Sequence, residues 1–356
     1  MSIEIYSVIG LMSGTSLDGV DVAYCRFYYK NEWRFSIEKA EEIIYSKEWK
    51  ERLSIAPTLS GLELSQLHVD YGVYLGTIVK EFIESKNSKV DFVASHGHTV
   101  FHTPHTGLTL QIGGGAAIAA QCGLPVICDF RTTDVAYGGQ GAPLVPIGDS
   151  LLFNEYRFCL NLGGIANISF QQENNRLAFD ICPVNMALNQ LSQELGLEYD
   201  KDGIHAQEGT INPPLLKNLN ALDFYSQDGP KSLGREWFET NFLPLINNPA
   251  ISINDRLATV CEHAAIQIAT TINKQSPSVE DKLLITGGGA FNDYLIERIQ
   301  HHTKATVVLP DVEIIKYKEA LIFAFLGVLR IDGIDNCLSS VTGASKNSCS
   351  GALYMP

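Results

Sequence analysis

Two glycine turns, each flanked by apolar, β-rich runs, constrain the fold of this chain more than any other feature. Residues 6–12 and 20–29 are separated by Ser13-Gly14-Thr15-Ser16-Leu17-Asp18-Gly19, and residues 158–162 and 166–170 by Gly163-Gly164. Runs joined in this way predict β-hairpins. One hairpin heads each half of a 356-residue chain, and single cores rarely grow past ~250–300 residues, so two domains are expected. Strands and helices then alternate. Apolar spacing predicts helices over 63–85, 115–122, 185–195, 253–272, 293–301 and 319–330. Shorter runs predict strands over 91–95, 125–130, 177–180, 282–286 and 307–309. Alternation of this kind predicts a layered α/β fold, here duplicated, with a cleft between the halves. Residues 212–230 read as a connection, and the tail after Asp332 as loop.

Charge narrows the partners. The chain carries 26 Lys and Arg against 40 Asp and Glu, a formal charge of −14. Phosphate backbones and anionic membrane surfaces are repelled by such a surface, so neither nucleic acid nor membrane is expected as a partner. An anion held by backbone N–H groups in a pocket remains compatible. No apolar run reaches the ~20 residues of a membrane span. The start, with Glu4 and no basic leader, does not read as a signal peptide. Eight cysteines are scattered without a CxxC pair, which predicts buried free thiols in a reducing cytoplasm.

The first turn, from Gly14 through Thr15, Ser16, Leu17, Asp18, Gly19 and Val20 to Asp21, is a candidate phosphate loop. Gly14 and Gly19 permit positive φ and close approach of backbone N–H groups to an anion. Asp18 and Asp21 are candidates to hold a hydrated Mg²⁺ on phosphate oxygens. No Gly-Lys-Ser/Thr follows, so it is not a Walker loop. The same residue types also satisfy a plain hairpin. The second turn, with Gly163, Gly164 and Asn167, gains weight from the first, since two such turns can take different phosphates of one nucleotide. Thr286-Gly287-Gly288-Gly289-Ala290-Phe291-Asn292 lies between a predicted strand and a predicted helix. Asn292 stands where a dinucleotide fingerprint needs its third glycine, so a flat nucleoside platform fits better.

In this order the three turns resemble the two phosphate motifs and the adenosine motif of the actin/hexokinase/Hsp70 superfamily. More closely, the chain is similar to anhydro-N-acetylmuramic acid kinases. The segments GLMSGTSLDGVDVA, SHGHTVFH, TLQIG, DFRTTDVAYGGQGAPLVP, LNLGGIANIS, FDICPVNM, YDKDG, PKSLGREWF, LLITGGGAFN, EALIFAFL and VTGA carry the likeness and span residues 10–344. The resemblance implies a two-domain actin-like fold with ribonuclease H-like sheets and an interdomain cleft. The expected domains are 1–133, with 335–356 as a candidate return to it, and 134–334. ATP and Mg²⁺ are the implied cofactors, and a homodimer the implied assembly. In the reaction the resemblance implies, water opens the 1,6-anhydro bridge of 1,6-anhydro-N-acetylmuramic acid, and the freed O6 takes the γ-phosphoryl group of ATP. The product is N-acetylmuramic acid 6-phosphate, an intermediate of cell-wall recycling.

Such chemistry needs a carboxylate base for water, whereas phosphoryl transfer needs mainly positioning and charge stabilisation. Asp180, at the end of the predicted strand, matches the family's base in its Phe-Asp-x-x-Pro-x-Asn context. As a strand-end Asp it also fits an N-cap of the next helix. Arg131 is placed to receive the sugar's lactyl carboxylate, or else sits in a surface ion pair. Ser13, His98 and Thr99 are expected on the sugar, with an ordinary structural role for His96. Glu319 is expected at a helix start and, by the family match, near the sugar. Two departures stand out. Ile181-Cys182-Pro183-Val184-Asn185 replaces the family's usual Thr-Gly-Pro-Gly-Asn, and His98 replaces a common Gln. Rival expectations are a kinase of another sugar in the superfamily and a non-catalytic, Hsp70- or actin-like nucleotide-binding protein.

Overall fold

A computed structural model describes residues 4–356 except 15, 87–88, 174 and 228. The chain forms two compact units, Met1–Phe153 with Tyr317–Pro356, and Asn154–Lys316. The sequence reading divides instead after 133 and 334. The helix Val145–Leu152 keeps its residues in the first unit, because Gly148 lets it lie directly on Ile322 of the helix Val312–Ile331.

The first unit is built on β1 (Glu4–Ser13), β2 (Gly19–Tyr29), β3 (Trp33–Ile44), β4 (Phe92–Thr103), β5 (Leu108–Ile112) and β6 (Val126–Cys128). The antiparallel meander β1-β2-β3 continues through β4, parallel to β1, and β6, parallel to β4. The crossover between β3 and β4 is the helix Gly61–Lys86, which buries Leu67, Tyr71, Leu75, Ile78, Val79 and Phe82 along one face. Ser60 and Glu63 start it with a reciprocal capping box: the Ser60 N–H donates to the Glu63 carboxylate and the Glu63 N–H to Ser60 Oγ.

The second unit repeats this plan. β7 (Phe158–Leu162), β8 (Ile165–Gln172) and β9 (Asn175–Pro183) form an antiparallel meander, and β10 (Lys282–Thr286) and β11 (Thr306–Val308) add in parallel beyond β7. Its crossover helices, Ile253–Asn273 and Asp293–His302, stand where Gly61–Lys86 and Gly115–Cys122 stand in the first. The same five-strand order twice, three antiparallel and two parallel, is the two-domain, ribonuclease H-like α/β arrangement of actin-like proteins.

Several local expectations are corrected. The interval 212–230 contains the helix Pro213–Asn220, started by the Asn212 side chain accepting from the Leu215 N–H. The last long helix begins at Val312, seven residues before its expected start. The tail is not loop: Asn336 binds the Leu326 and Ser350 carbonyls, and β12 (Ala352–Tyr354) pairs antiparallel with β6. Among the described residues, no helix is long and apolar enough to cross a membrane.

Candidate active site

In the first unit the β1–β2 turn leads into a polar cluster at the C-terminal end of β1 and the middle of β4. Thr15 lies outside the described residues. The left-handed position of the turn falls on Leu17 (φ 62°), not on Gly14 or Gly19 as expected. Gly19 instead permits close packing, since a Cβ there would stand 2.4 Å from the Ile43 carbonyl oxygen. Ser16 and Asp18 are exposed, whereas the Val20 side chain is fully buried in the core, which leaves Val20 only its backbone for a ligand. The Tyr45 N–H donates to the Asp18 carbonyl and ties the turn to the end of β3.

Asp21 sits partly buried on β2, opposite Glu42 of β3. Burial, then the negative charges of Glu42, Glu319 and Asp18, push its carboxyl up to about 7. Glu319 therefore belongs to this cluster, but not as a helix-start charge. It lies well inside the helix Val312–Ile331, where burial raises its pKa against the pull of Arg131 and Lys318. The folded chain thus binds a proton at Asp21 between pH ~4, where an unfolded Asp titrates, and about 7. Stability falls as pH rises through that window and then levels off. With divalent cations chelated, Asp21→Asn is expected to melt above the wild type at pH 8, with the difference nearly gone at pH 4. A difference independent of pH contradicts the assigned repulsion.

Ser13 and His98 face each other across β1 and β4, Ser13 Oγ standing 3.2 Å from His98 Nδ1 and 2.6 Å from the Tyr45 hydroxyl. Burial lowers the pKa of His98. Gln111 Nε2 on β5 donates to Thr99 Oγ1 at 3.3 Å. Arg131 follows β6 and donates from Nε and Nη2 to His96 Nε2, at 3.1 and 2.9 Å, and from Nη1 to the Gly141 carbonyl at 2.6 Å. That carbonyl is set by Asp134, which sequence reasoning did not single out. The Asp134 carboxylate accepts from the Gly141 N–H and from Thr342 Oγ1. Gly139 passes so close that a Cβ would stand 2.2 Å from Asp134 Oδ2. The glycine-dense run after Asp134 was the signal for this wrapped carboxylate.

In the second unit the Gly163-Gly164 turn is latched to the start of the helix Asn185–Gln193. The Val184 and Asn185 N–H groups donate to the Gly164 and Gly163 carbonyls, and Asn185 Nδ2 donates to the Leu162 carbonyl at 3.0 Å. Gly287 (φ 84°) folds the third turn onto the same place, since a Cβ there would meet Asn161 Oδ1 at 2.5 Å. Gly289 rests on Leu162, and Gly288 faces Asn185. The second and third glycine motifs therefore form one surface, with Asn185 between them. Asn292 is instead a buried helix cap: its Oδ1 accepts from the Leu295 N–H, and Gly203 of the YDKDG segment packs against it.

Asp180 pairs with Asn167 across β8 and β9. It is neither a strand-end residue nor a helix cap, because β9 continues to Pro183 and Val184 precedes the helix. The register slips between Ala166 and Asn167, a bulge that re-aims the strand beside Asp180. Asp180 Oδ2 accepts from the Leu233 N–H at 2.9 Å, and the Asp180 N–H donates to the Lys231 carbonyl. Burial raises its pKa, opposed by the Leu233 hydrogen bond. The divergent Ile181, Cys182 and Val184 all point into the second unit's core. The departure from the family pattern is therefore repacking behind the strand.

The family model for anhydro-N-acetylmuramic acid kinase matches residues 6–356. A protein of that name from Vibrio cholerae serotype O1 is 34% identical over 375 residues, covering 99% of each chain. Namesakes from Saccharophagus degradans and a Picosynechococcus species are also 34% identical, the first over 98% of both chains, the second over 98% of this chain and 99% of its own.

Proposed function

We propose, because this chain belongs to the anhydro-N-acetylmuramic acid kinase family, that it hydrolytically opens 1,6-anhydro-N-acetylmuramic acid and phosphorylates O6 at the expense of ATP. Asp180 takes a proton from the water that attacks C1. The C1–O6 bond breaks, and O6 accepts the γ-phosphoryl group, leaving N-acetylmuramic acid 6-phosphate and ADP. The Asp180 proton then passes to solvent. What carries this reading is Asp180 itself: a partly buried carboxylate on a bulged strand, with one oxygen anchored and its pKa raised toward that of a working base.

Backbone groups of Gly14 and Ser16 to Val20, and of Gly163 and Gly164 with the Asn167 side chain, are assigned to the phosphates. Gly287 to Gly289 are assigned to the nucleoside. Ser13, His98, Thr99, Arg131 and Glu319 are assigned to the sugar. Asp18 and Asp21 offer oxygen donors only, which suits Mg²⁺, an ion that keeps several waters and takes one or two carboxylates. No group of three or more His, Cys, Asp or Glu that would make an all-protein cage occurs among the described residues. The ion would supply charge to offset that of the phosphates. The thiols of the eight cysteines and the acidic surface support a cytoplasmic enzyme without nucleic-acid partners. The homodimer rests on the family resemblance.

The test is incubation with the anhydro sugar and ATP in ¹⁸O-labelled water. A sugar 6-phosphate carrying label at the C1 hydroxyl is expected, one per ADP. ADP without labelled product sinks the reading. Arg131→Ala is expected to raise the Kd of the anhydro sugar about tenfold or more, the scale of a lost charge-assisted hydrogen bond. Its ATP affinity, read by calorimetry, should stay within about twofold on the same scale.

A further inference from the structure

We propose that His96 is a positioning residue, one that aims the Arg131 guanidinium without spending its charge, so that the charge is left for the substrate's carboxylate. The inference rests on the assignment of Arg131 to the lactyl group. Its starting point is the identity of the partners Arg131 has. They are an imidazole nitrogen and a backbone carbonyl, both neutral. A buried arginine is more commonly satisfied by Asp or Glu, which fixes its direction and cancels its charge together.

The direction of each proton follows from chemistry. The Gly97 carbonyl stands 2.9 Å from His96 Nδ1 and can only accept, so Nδ1 carries the hydrogen. Nε2 is then a bare lone pair facing Arg131 Nε and Nη2. A protonated imidazole would turn an N–H toward the guanidinium, and burial together with the Arg131 charge pushes the His96 pKa down to about 3. The Phe323 ring, 4.6 Å away, holds the imidazole in place.

Arginine has five N–H donors. The contacts of the described residues use three of them, Nε–H, one on Nη2 and one on Nη1. One N–H on each terminal nitrogen remains, which is what a planar carboxylate requires for paired recognition. Glu319 adds only attraction at a distance. The arrangement thus resembles an anion receptor held ready by neutral acceptors, and it gives His96 more than the ordinary structural role expected from sequence.

The test uses two side chains of nearly the same shape that differ in charge. His96→Gln offers Arg131 a neutral acceptor; His96→Glu offers a charged one that neutralises it. Gln is expected to keep KM for the anhydro sugar within about threefold. Glu is expected to raise it about tenfold or more, the difference of a charge-assisted pair, with kcat within about threefold for both. In an Arg131→Ala background Gln and Glu should give the same KM. Equal KM values in the Arg131 background and in the wild type alike overturn the proposal, as does a Gln–Glu difference that survives Arg131→Ala. If Arg131→Ala alone leaves KM unchanged, the assignment of Arg131 itself is what fails. Thermal melts report folding of each variant, and should the pair not fold, Asn and Asp at position 96 repeat the contrast.

Discussion

Asp180→Asn should lower kcat by at least ~10²–10⁴, the usual contribution of a positioned general base, while leaving sugar and ATP binding nearly intact. The amide oxygen can still accept the Leu233 N–H that now binds Asp180 Oδ2, so the neighbouring loop keeps its anchor. The lone pair that would take the proton of water is lost. In the proposed reaction ring opening and phosphoryl transfer proceed together, so neither step can run alone, and the loss should fall at the upper end of that range or beyond it. The raised pKa of Asp180 gives a second signature. As pH falls through that value the base is protonated, and kcat/KM of the wild type should fall with it. Single-turnover product formation in labelled water, alongside calorimetry for each ligand, makes the measurement. Labelled oxygen entering C1 at near the wild-type rate would remove Asp180 from this role and direct attention to Glu319 or His98.

Gly10→Ala should unfold the first unit far more readily than Gly14→Ala in the β1–β2 turn. Gly10 lies on β1, between Ala23 of β2 and Ala94 of β4. A Cβ at that position would stand 2.0 Å from the Ala320 carbonyl oxygen and 3.1 Å from Ala324 Cβ. The obstacle is helix backbone, which cannot rotate aside. Overpacking typically costs about 1–3 kcal/mol, and a backbone collision of this depth should cost about 3 kcal/mol or more. That corresponds to a Tm lower by roughly 6–12 °C. Activity should fall too, because Ala320 adjoins Glu319 and the helix must retreat to admit the methyl group. Gly14→Ala is the contrast: among the described residues its Cβ would meet Ser16 Oγ at 3.6 Å and the Ser16 nitrogen at 4.0 Å, both ordinary contacts. Its melting should scarcely change, while ATP affinity reports whether the turn holds phosphate. If Gly10→Ala melts with the wild type, the close approach of β1 to this helix is not as described.

Much of this protein is legible from residues close together in the chain. Hairpins were predictable at 13–19 and 163–164 because glycine, serine and aspartate interrupt apolar runs there. The crossover helices were predictable because one face of each carries regularly spaced apolar residues. The family likeness, too, is a matter of contiguous segments. β3 escaped notice because Glu38, Lys39, Glu41 and Glu42 give it no buried stripe, and it is a strand by virtue of its pairing with β2. β12 is likewise a strand only because β6 offers it an edge. Asp180 could be chosen from its motif, but the bulge that re-aims its strand depends on how β8 registers against β9. His96 meets Arg131 only because β4 and β6 lie side by side and parallel. Asp21 feels Glu319 only because a glycine on β1 brings a helix from the far end of the chain against the sheet. Propensity and periodicity act between neighbours along the chain, whereas orientation and charge at a site act through space. The elements therefore follow from local order, and the chemistry of the site follows from which of them pack together.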